Sequence, residues 1–398
     1  MPFVENLSDY LKQSGELSKD SSPFVFWSGY GLDNHNSGIY VHCHSLAKAL
    51  ADKGIVPLVF TNSKKGSALG ETLMVPLDQR VLNETVVKIL NSKLLWPYRV
   101  GRELDAALKA ADLGMPAVLH GLSNIDIPFS RLRGDVKKVV TIHDVIPLLA
   151  PGGVAKKYYY QLRYLLPRVV QSADRIICVS SWGAKTLSRF YPKAQEKTVV
   201  IANGKPLLRT ETVISPKKDN EKIEALYVAR FEPYKNVEFL GRLLRQSSDW
   251  LKVVVVTDAR GLAFFNEQYS DLIENSSLKV FTNLPKKRLD ACYRSADVYL
   301  SPSFYEGFSL PAADAVSFSL PVVYTSGSGI DETLGTEVAF AQSPQLDIHQ
   351  WQTSIREAHR CRFEPTFQQK QKQHYDEMFS WQDSAKAHKI LYNELVNK

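Results

Sequence analysis

Residues 301–323 read SPSFYEGFSLPAADAVSFSLPVV, and this stretch sets out the unit from which the rest of the chain is built. An apolar run ends at Pro302. A loop carrying Glu306 and Gly307 follows, and Pro311 then stands where the first turn of a helix tolerates a residue without an N–H. The next apolar run, LPVVYTS, starts at Leu320, so the order is strand, loop, helix, strand, the crossover unit of a parallel sheet. The amides of Phe308, Ser309 and Leu310, at the start of that helix, are placed to face an anion. Asp314 lies one turn further in and brings a second carboxylate to the place that Glu306 enters from the loop. Carboxylates repel phosphate, so beside a diphosphate they serve to bind hydroxyl groups or to stabilise developing positive charge. A nucleotide sugar presents both.

The same alternation extends to either side. Short apolar runs, each followed by a helix-like segment, occur at PFVFWS (Pro23), VPLVFTN (Val56), AVLHG (Ala117), KVVTIHD (Lys138), RIICVS (Arg175) and TVVIANG (Thr198). The pattern stops where SPKKDNEK replaces it, and restarts with EALYVAR (Glu224), LKVVVVTD (Leu251), LKVFTN (Leu278) and DVYLSPS (Asp297). With 398 residues, the chain is too long for one ordinary core and suits two. The expected division is an N-terminal domain over 1–205, with 1–20 as a helical appendage, a linker over 206–222, and a C-terminal domain over 223–378. The last segment, 379–398, has apolar residues at helical spacing and is expected to pack back across the junction. Two doubly wound parallel sheets of this kind bind ligands outside the carboxyl ends of their strands, in a central cleft.

From Glu306 to Asp314 the chain reads E-G-F-S-L-P-A-A-D. This resembles the family 4 glycosyltransferases, whose hallmark sets two glutamates eight positions apart in E-G-F-G-L-P-x-x-E. The resemblance implies a GT-B fold, two Rossmann-like domains, and retaining transfer of a sugar from a nucleoside diphosphate donor. It places Glu306 at the donor sugar and diphosphate, Asp314 at the ribose hydroxyls, and Gly307, Phe308, Ser309 and Leu310 along the donor. Two positions depart from the pattern: Asp314 is one methylene shorter than the usual glutamate, and Ser309 replaces the usual glycine. In YVARFEPYKNVEFL, Arg230 and Lys235 follow a strand five residues apart, a pair able to clamp a diphosphate. The family uses such a pair to stabilise the leaving group. His143 ends an N-domain strand beside Asp144, and the family's T-x-H histidine lies against the transferred sugar. His120 in VLHGLSN competes for that role, and Asn203 in IANG is a further match. Gly38, before a helix, is where similar loops bring backbone to the donor phosphates.

The formal charge of +7 favours an anionic partner. No nucleic-acid recognition module is visible. The segments NSKLLWPYRVGR (91–102) and KKYYYQLRYLLPR (156–168) mix aromatic and basic residues. They read either as core-facing helices with snorkelling cations or as peripheral contacts with an anionic membrane. No stretch approaches the ~20 apolar residues of a membrane span, and residues 1–20 do not read as a secretory signal, so a cytoplasmic location is expected, with the inner face of the membrane open as the working surface. Asp-x-Asp is absent, and His42, Cys43 and His44 fall in a predicted helix where residues two apart diverge. Neither metal nor cofactor is therefore expected, Arg230, Lys235 and helix-end amides taking a cation's place. The activity expected is transfer of a hexose from GDP-mannose or a UDP-hexose to a hydroxyl of a glycan or lipid-linked acceptor, in surface polysaccharide or glycolipid assembly. An inactive partner subunit, or a nucleotide-sugar epimerase or hydrolase, is the alternative on the same scaffold.

Overall fold

Val, Ile and Leu crowd the short apolar runs, and a strand covered by helices on both faces is where such runs are buried throughout. In a computed structural model, residues 23–30, 32, 38–61, 73–76, 95–111, 116–132, 135–150, 152, 154, 156–206, 222–335, 338–343 and 347–397 are described. The expected appendage over 1–20 and residues 207–221 of the expected linker lie outside them. Two compact units result. One takes the described residues of Met1–Leu148, Lys157–Gly204 and Phe379–Lys398, the other those of Leu149–Lys156 and Lys205–Met378.

The first unit holds a parallel sheet of β1 (Phe24–Gly29), β2 (Leu58–Thr61), β3 (Leu73–Pro76), β4 (Ala117–Gly121), β5 (Val136–Ile142), β6 (Arg175–Cys178) and β7 (Thr198–Val200), in the order β3-β2-β1-β4-β5-β6-β7. The second holds β8 (Ile223–Val228), β9 (Leu251–Thr257), β10 (Leu278–Thr282), β11 (Val298–Ser301), β12 (Val322–Thr325) and β13 (Ala339–Gln342), in the order β10-β9-β8-β11-β12-β13. Every pairing is parallel, with Leu226 opposite Tyr299 where β8 meets β11. Each sheet is thus wound outward in both directions from its first strand, and the order switches between β1 and β4 and between β8 and β11. Strands β3 and β13 did not stand out in the sequence. They are four-residue edge strands, LMVP and AFAQ, with little of the β-branched character that marks the inner strands.

The longer helices are α1 (Gly38–Ala51), α2 (Trp96–Ala111), α3 (Lys156–Ser172), α4 (Ser181–Phe190), α5 (Val237–Arg245), α6 (Ala259–Gln268), α7 (Lys286–Ser295), α8 (Leu310–Ser317), α9 (Ile348–Cys361), α10 (Pro365–Glu377) and α11 (Trp381–Val396). Several start on side chains that take up orphan amides: Ser180 accepts from Gly183, and Asp258 from Arg260 and Gly261. At α11, Ser380 and Asp383 form a reciprocal capping box.

Helix α11 lies in the first unit. Its Ala385, Leu391, Tyr392 and Leu395 join one apolar core with Val25 and Trp27 of β1 and Leu46 and Leu50 of α1. Inside that core His120 is fully buried, with Nδ1 2.7 Å from the Tyr392 hydroxyl and Nε2 2.7 Å from Thr141 Oγ1. His388 of α11 stacks on it at 5.6 Å between ring centroids. Both ring nitrogens of His120 are thus taken up within the unit and the ring is buried, so it ties the sheet to helix α11.

Burial holds these histidines neutral. It lowers His388 from 6.5 to about 4, and it pushes His120 and His42 well below 6.5, their histidine neighbours adding to the effect. In the unfolded chain the same side chains take up a proton near pH 6.5. The stability they contribute is therefore full above pH 6.5 and is lost as the pH falls toward 4, at about 1.4 kcal/mol per pH unit for each histidine in that window. Urea unfolding at pH 7.5 and pH 5 is expected to show the first unit markedly weaker at the lower pH. Equal stability at both would contradict neutral burial.

Candidate functional site

In the second unit, strands β8, β11 and β12 are neighbours, and the loops leaving their carboxyl ends are stitched together at the point where the strand order switches. After β8 the chain turns through a short 3-10 helix, Pro233–Lys235, and passes Asn236 in the left-handed conformation, φ 54°. Asn236 Nδ2 donates to Pro302 O at 3.3 Å, and Phe304 N donates to Tyr234 O at 2.9 Å. The loop after β11 is bonded in turn to the loop after β12: Glu306 N donates to Ser328 Oγ at 3.1 Å, and Gly329 N to Glu306 O at 2.8 Å. A Cβ on Gly329 would lie 2.1 Å from Gly307 O, so this approach needs glycine.

Within this frame Lys235 Nζ sits 2.6 and 2.7 Å from the two carboxylate oxygens of Glu306. The side chains are 16% and 9% exposed, so the pair is largely shielded but open on one side. Lys235 also lies over the ring of Tyr234, 5.2 Å from its centroid. The two residues, which belong to separate motifs in the sequence, are thus directly paired. Paired in this way, the carboxylate can stand near a phosphate without net repulsion, and the ammonium, with three protons, can serve two acceptors.

Three residues on, Ser309 precedes α8 with φ 67° and ψ 70°. The left-handed backbone explains why a glycine suits this position and what its replacement costs, of the order of 1 kcal/mol. Among the described residues, the amides of Gly307, Phe308, Ser309 and Leu310 have no hydrogen-bond acceptor. They stand at the start of α8 next in sequence to Glu306 of the Lys235–Glu306 pair, an arrangement whose chemistry suits an anion. Arg230, two residues past the end of β8, is exposed, and no partner is found for its guanidinium among the described residues. Asp314 is half-buried on α8, one turn from Leu310.

In the first unit, His143 and Asp144 follow β5 directly. The His143 ring donates through Nε2 to Leu122 O at 3.0 Å, and its backbone N–H donates to Asn124 Oδ1 at 3.1 Å. Asp144 Oδ1 accepts from Ile146 N at 3.0 Å, which shapes the turn after the histidine. Gly38 is the first residue of α1; residues 33–37 of the loop before it lie outside the described residues. Asn203 is buried, its Oδ1 2.7 Å from His42 Nδ1, so it is held by a side chain of its own unit. Tyr234, Asn236, Asn124 and Ser328 were not singled out from sequence. Their bonds join loops far apart in the chain, and spacing along the sequence carries no signal of such contacts.

The family model described as Glycosyltransferase Family 4 matches residues 36–207, and that described as Glycosyl transferases group 1 matches residues 209–374. The O-antigen chain mannosyltransferase RfbU of Salmonella typhimurium is 24% identical over 220 residues, covering 55% of this chain and 60% of that protein. The O-antigen chain mannosyltransferase B of Escherichia coli is 24% identical over 225 residues, 53% of this chain and 58% of that protein. The alignments therefore span less than two thirds of either relative. Among solved structures, a glycosyltransferase from Rickettsia africae superposes with a TM-score of 0.67 at 14% identity, covering 94% of this chain and 99% of that one. WaaG, a glycosyltransferase involved in lipopolysaccharide biosynthesis, does so with a TM-score of 0.64 at 14% identity, over 92% and 99%. At these identities the likeness is one of fold.

Lys235→Ala leaves the Glu306 carboxylate shielded and unpaired, and the expected cost in stability is about 3 kcal/mol. Replacing both partners, Lys235→Met with Glu306→Leu, should recover most of it. Chemical denaturation of the three proteins checks this, and an unchanged midpoint for Lys235→Ala would show that the pair does not hold the loops.

Proposed function

Because the chain belongs to the family 4 glycosyltransferases of GT-B fold, we propose that it moves a hexose, mannose before others, from a nucleoside diphosphate donor to an acceptor hydroxyl with retention at the anomeric carbon. The observation that carries this reading is the Lys235–Glu306 pair set beside the free amides of Gly307–Leu310. A donor diphosphate on those amides has Lys235 within reach and Arg230 as an exposed second cation. Glu306, its charge balanced by Lys235, accepts from sugar hydroxyls. Asp314 takes the ribose, at a reach one methylene shorter than a glutamate's, and Gly38 and His143 act from the first unit, His143 against the transferred sugar.

In the reaction, the bond from the anomeric carbon to the diphosphate oxygen breaks and a bond to the acceptor oxygen forms. The acceptor's proton passes to the departing phosphate. Charge develops on the leaving group, where Arg230, Lys235 and the amides stand, so these groups supply the stabilisation that a divalent cation would otherwise give. On this reading the reaction needs no metal. GDP-mannose is favoured over UDP-hexoses because two of the relatives are named O-antigen chain mannosyltransferases, and the same names support an acceptor in surface polysaccharide assembly.

Helix α3 supports a lipid-linked acceptor reached from the inner face of an anionic membrane. One face buries Leu162, Leu165, Leu166, Val169 and Val170. The other exposes Tyr160 and Tyr164, 52% and 64% accessible and stacked 6.1 Å apart, among Lys157, Arg163 and Arg168, and the helix carries no acidic residue. Arg168 also bonds the hydroxyl of exposed Tyr98 on α2 at 3.0 Å. The two sequence readings thus describe opposite faces of one helix. Tyrosines amid cations, with no carboxylates, suit an anionic headgroup layer. Among the described residues no helix is long and apolar enough to cross a membrane.

One assay tests these points together. The protein is mixed, in EDTA, with GDP-mannose, UDP-glucose or UDP-galactose and a lipid-linked oligosaccharide in phosphatidylglycerol vesicles. Transfer from one donor, an α-linked product by NMR, and flotation with these vesicles but not with phosphatidylcholine are expected. Free or epimerised sugar without acceptor would point to a hydrolase or epimerase, and inertness toward every donor to a non-catalytic scaffold.

A further inference from the structure

His42 lies on α1, in the helix following the first loop, and it is 2% exposed. Its Nδ1 is 2.7 Å from Asn203 Oδ1, an acceptor, so Nδ1 carries the proton and Nε2 is the bare nitrogen. That Nε2 is buried with no hydrogen-bond partner among the described residues. The ring stands at 90° to the ring of His143, with centroids 4.9 Å apart, and Trp381 meets it from the side at 5.6 Å and 69°. The segment after β7 and the start of α11 thus converge on one buried imidazole of α1 that packs edge-on against His143.

An imidazole is a poor choice for filling space here. A buried nitrogen without a partner costs stability, and an apolar ring of the same shape would avoid that cost. What the position supplies is a flat, tethered wall. His143 is held at one ring edge by Leu122 O and at its backbone by Asn124, and the perpendicular His42 ring packs against it as a further restraint on the plane of its ring.

We propose that His42 is a positioning residue for His143: tethered by Asn203 and backed by Trp381, it fixes the ring plane of the histidine that meets the donor sugar. This rests on the role given to His143 above. Burial and the neighbouring His143 keep His42 below the usual histidine range, so the wall is uncharged at working pH and does not compete with His143 for a proton. Displacing a substrate-contacting group by about 1 Å is enough to slow chemistry up to about 100-fold while leaving donor binding to the other contacts.

The test is a double-mutant cycle on the full chain, with kcat and donor KM measured for His42→Ala, His143→Ala and the double variant, and thermal unfolding followed alongside. His42→Ala is expected to lower kcat by about tenfold or more with donor KM within about twofold, and the double variant to be no slower than His143→Ala. His42→Phe, which restores a flat ring, should regain kcat to within about threefold of wild type, whereas His42→Leu should not. If the two losses multiply in the double variant, or if Phe and Leu behave alike, His42 does not act through His143 and the proposal is overturned. Should His42→Ala fail to fold, the Phe and Leu variants carry the comparison alone. A wild-type kcat in His143→Ala would instead remove the role of His143 itself, a separate failure from that of His42.

Discussion

The ion pair between Lys235 and Glu306 joins two residues 71 positions apart and holds together the loops that leave β8 and β11. Those strands flank the place where the order of the second sheet reverses, so adjacent crossovers run to opposite faces and leave their loops without a helix between them. A crevice there is a consequence of topology. What the side chains add is its charge: a cation and an anion neutralising each other, followed by four amides that have no acceptor among the described residues. A pair that is largely shielded gives little net stability, because desolvation offsets its attraction, yet breaking it is costly. Such a pair suits a site that must open one of its two partners to a charged ligand and close again when the ligand leaves.

The first unit is built differently around its own switch between β1 and β4. Its interior contains a chain of histidines, His42, His120 and His388, each buried, held neutral by that burial, and bonded to a residue distant from it or to its own helix. Through them the last helix of the chain becomes part of the first sheet's core, and the wall beside His143 depends on residues from both ends of the sequence. Rigid placement of a polar ring at a strand end needs support of this kind, since a loop alone leaves its side chains free to turn.

Much of this was legible in the residues. The alternation of apolar runs with helical segments led directly to two parallel sheets, because a buried strand and a surface helix leave different spacings of apolar residues. Edge strands β3 and β13 escaped, being short and poor in β-branched residues. At the site, Glu306, Lys235 and the turn before α8 followed from local pattern. The direct bond between Lys235 and Glu306 did not, since spacing along the chain carries no distance between loops. Ser309 illustrates the converse: as a sequence it was only a departure from glycine, and its φ of 67° supplies the physical meaning. The burial of His120 was not legible, because a histidine at a strand end looks the same whether the end is open or covered, and here α11 packs against it.

The most direct measurement is calorimetric titration of GDP and UDP into the protein in EDTA, compared with Arg230→Ala, since Arg230 is exposed and its loss leaves the fold alone. A diphosphate site at the Lys235–Glu306 corner predicts one-to-one binding without metal, and a loss of about tenfold or more in Arg230→Ala at unchanged thermal stability. Binding that needs a divalent cation, or that is indifferent to Arg230, would contradict it.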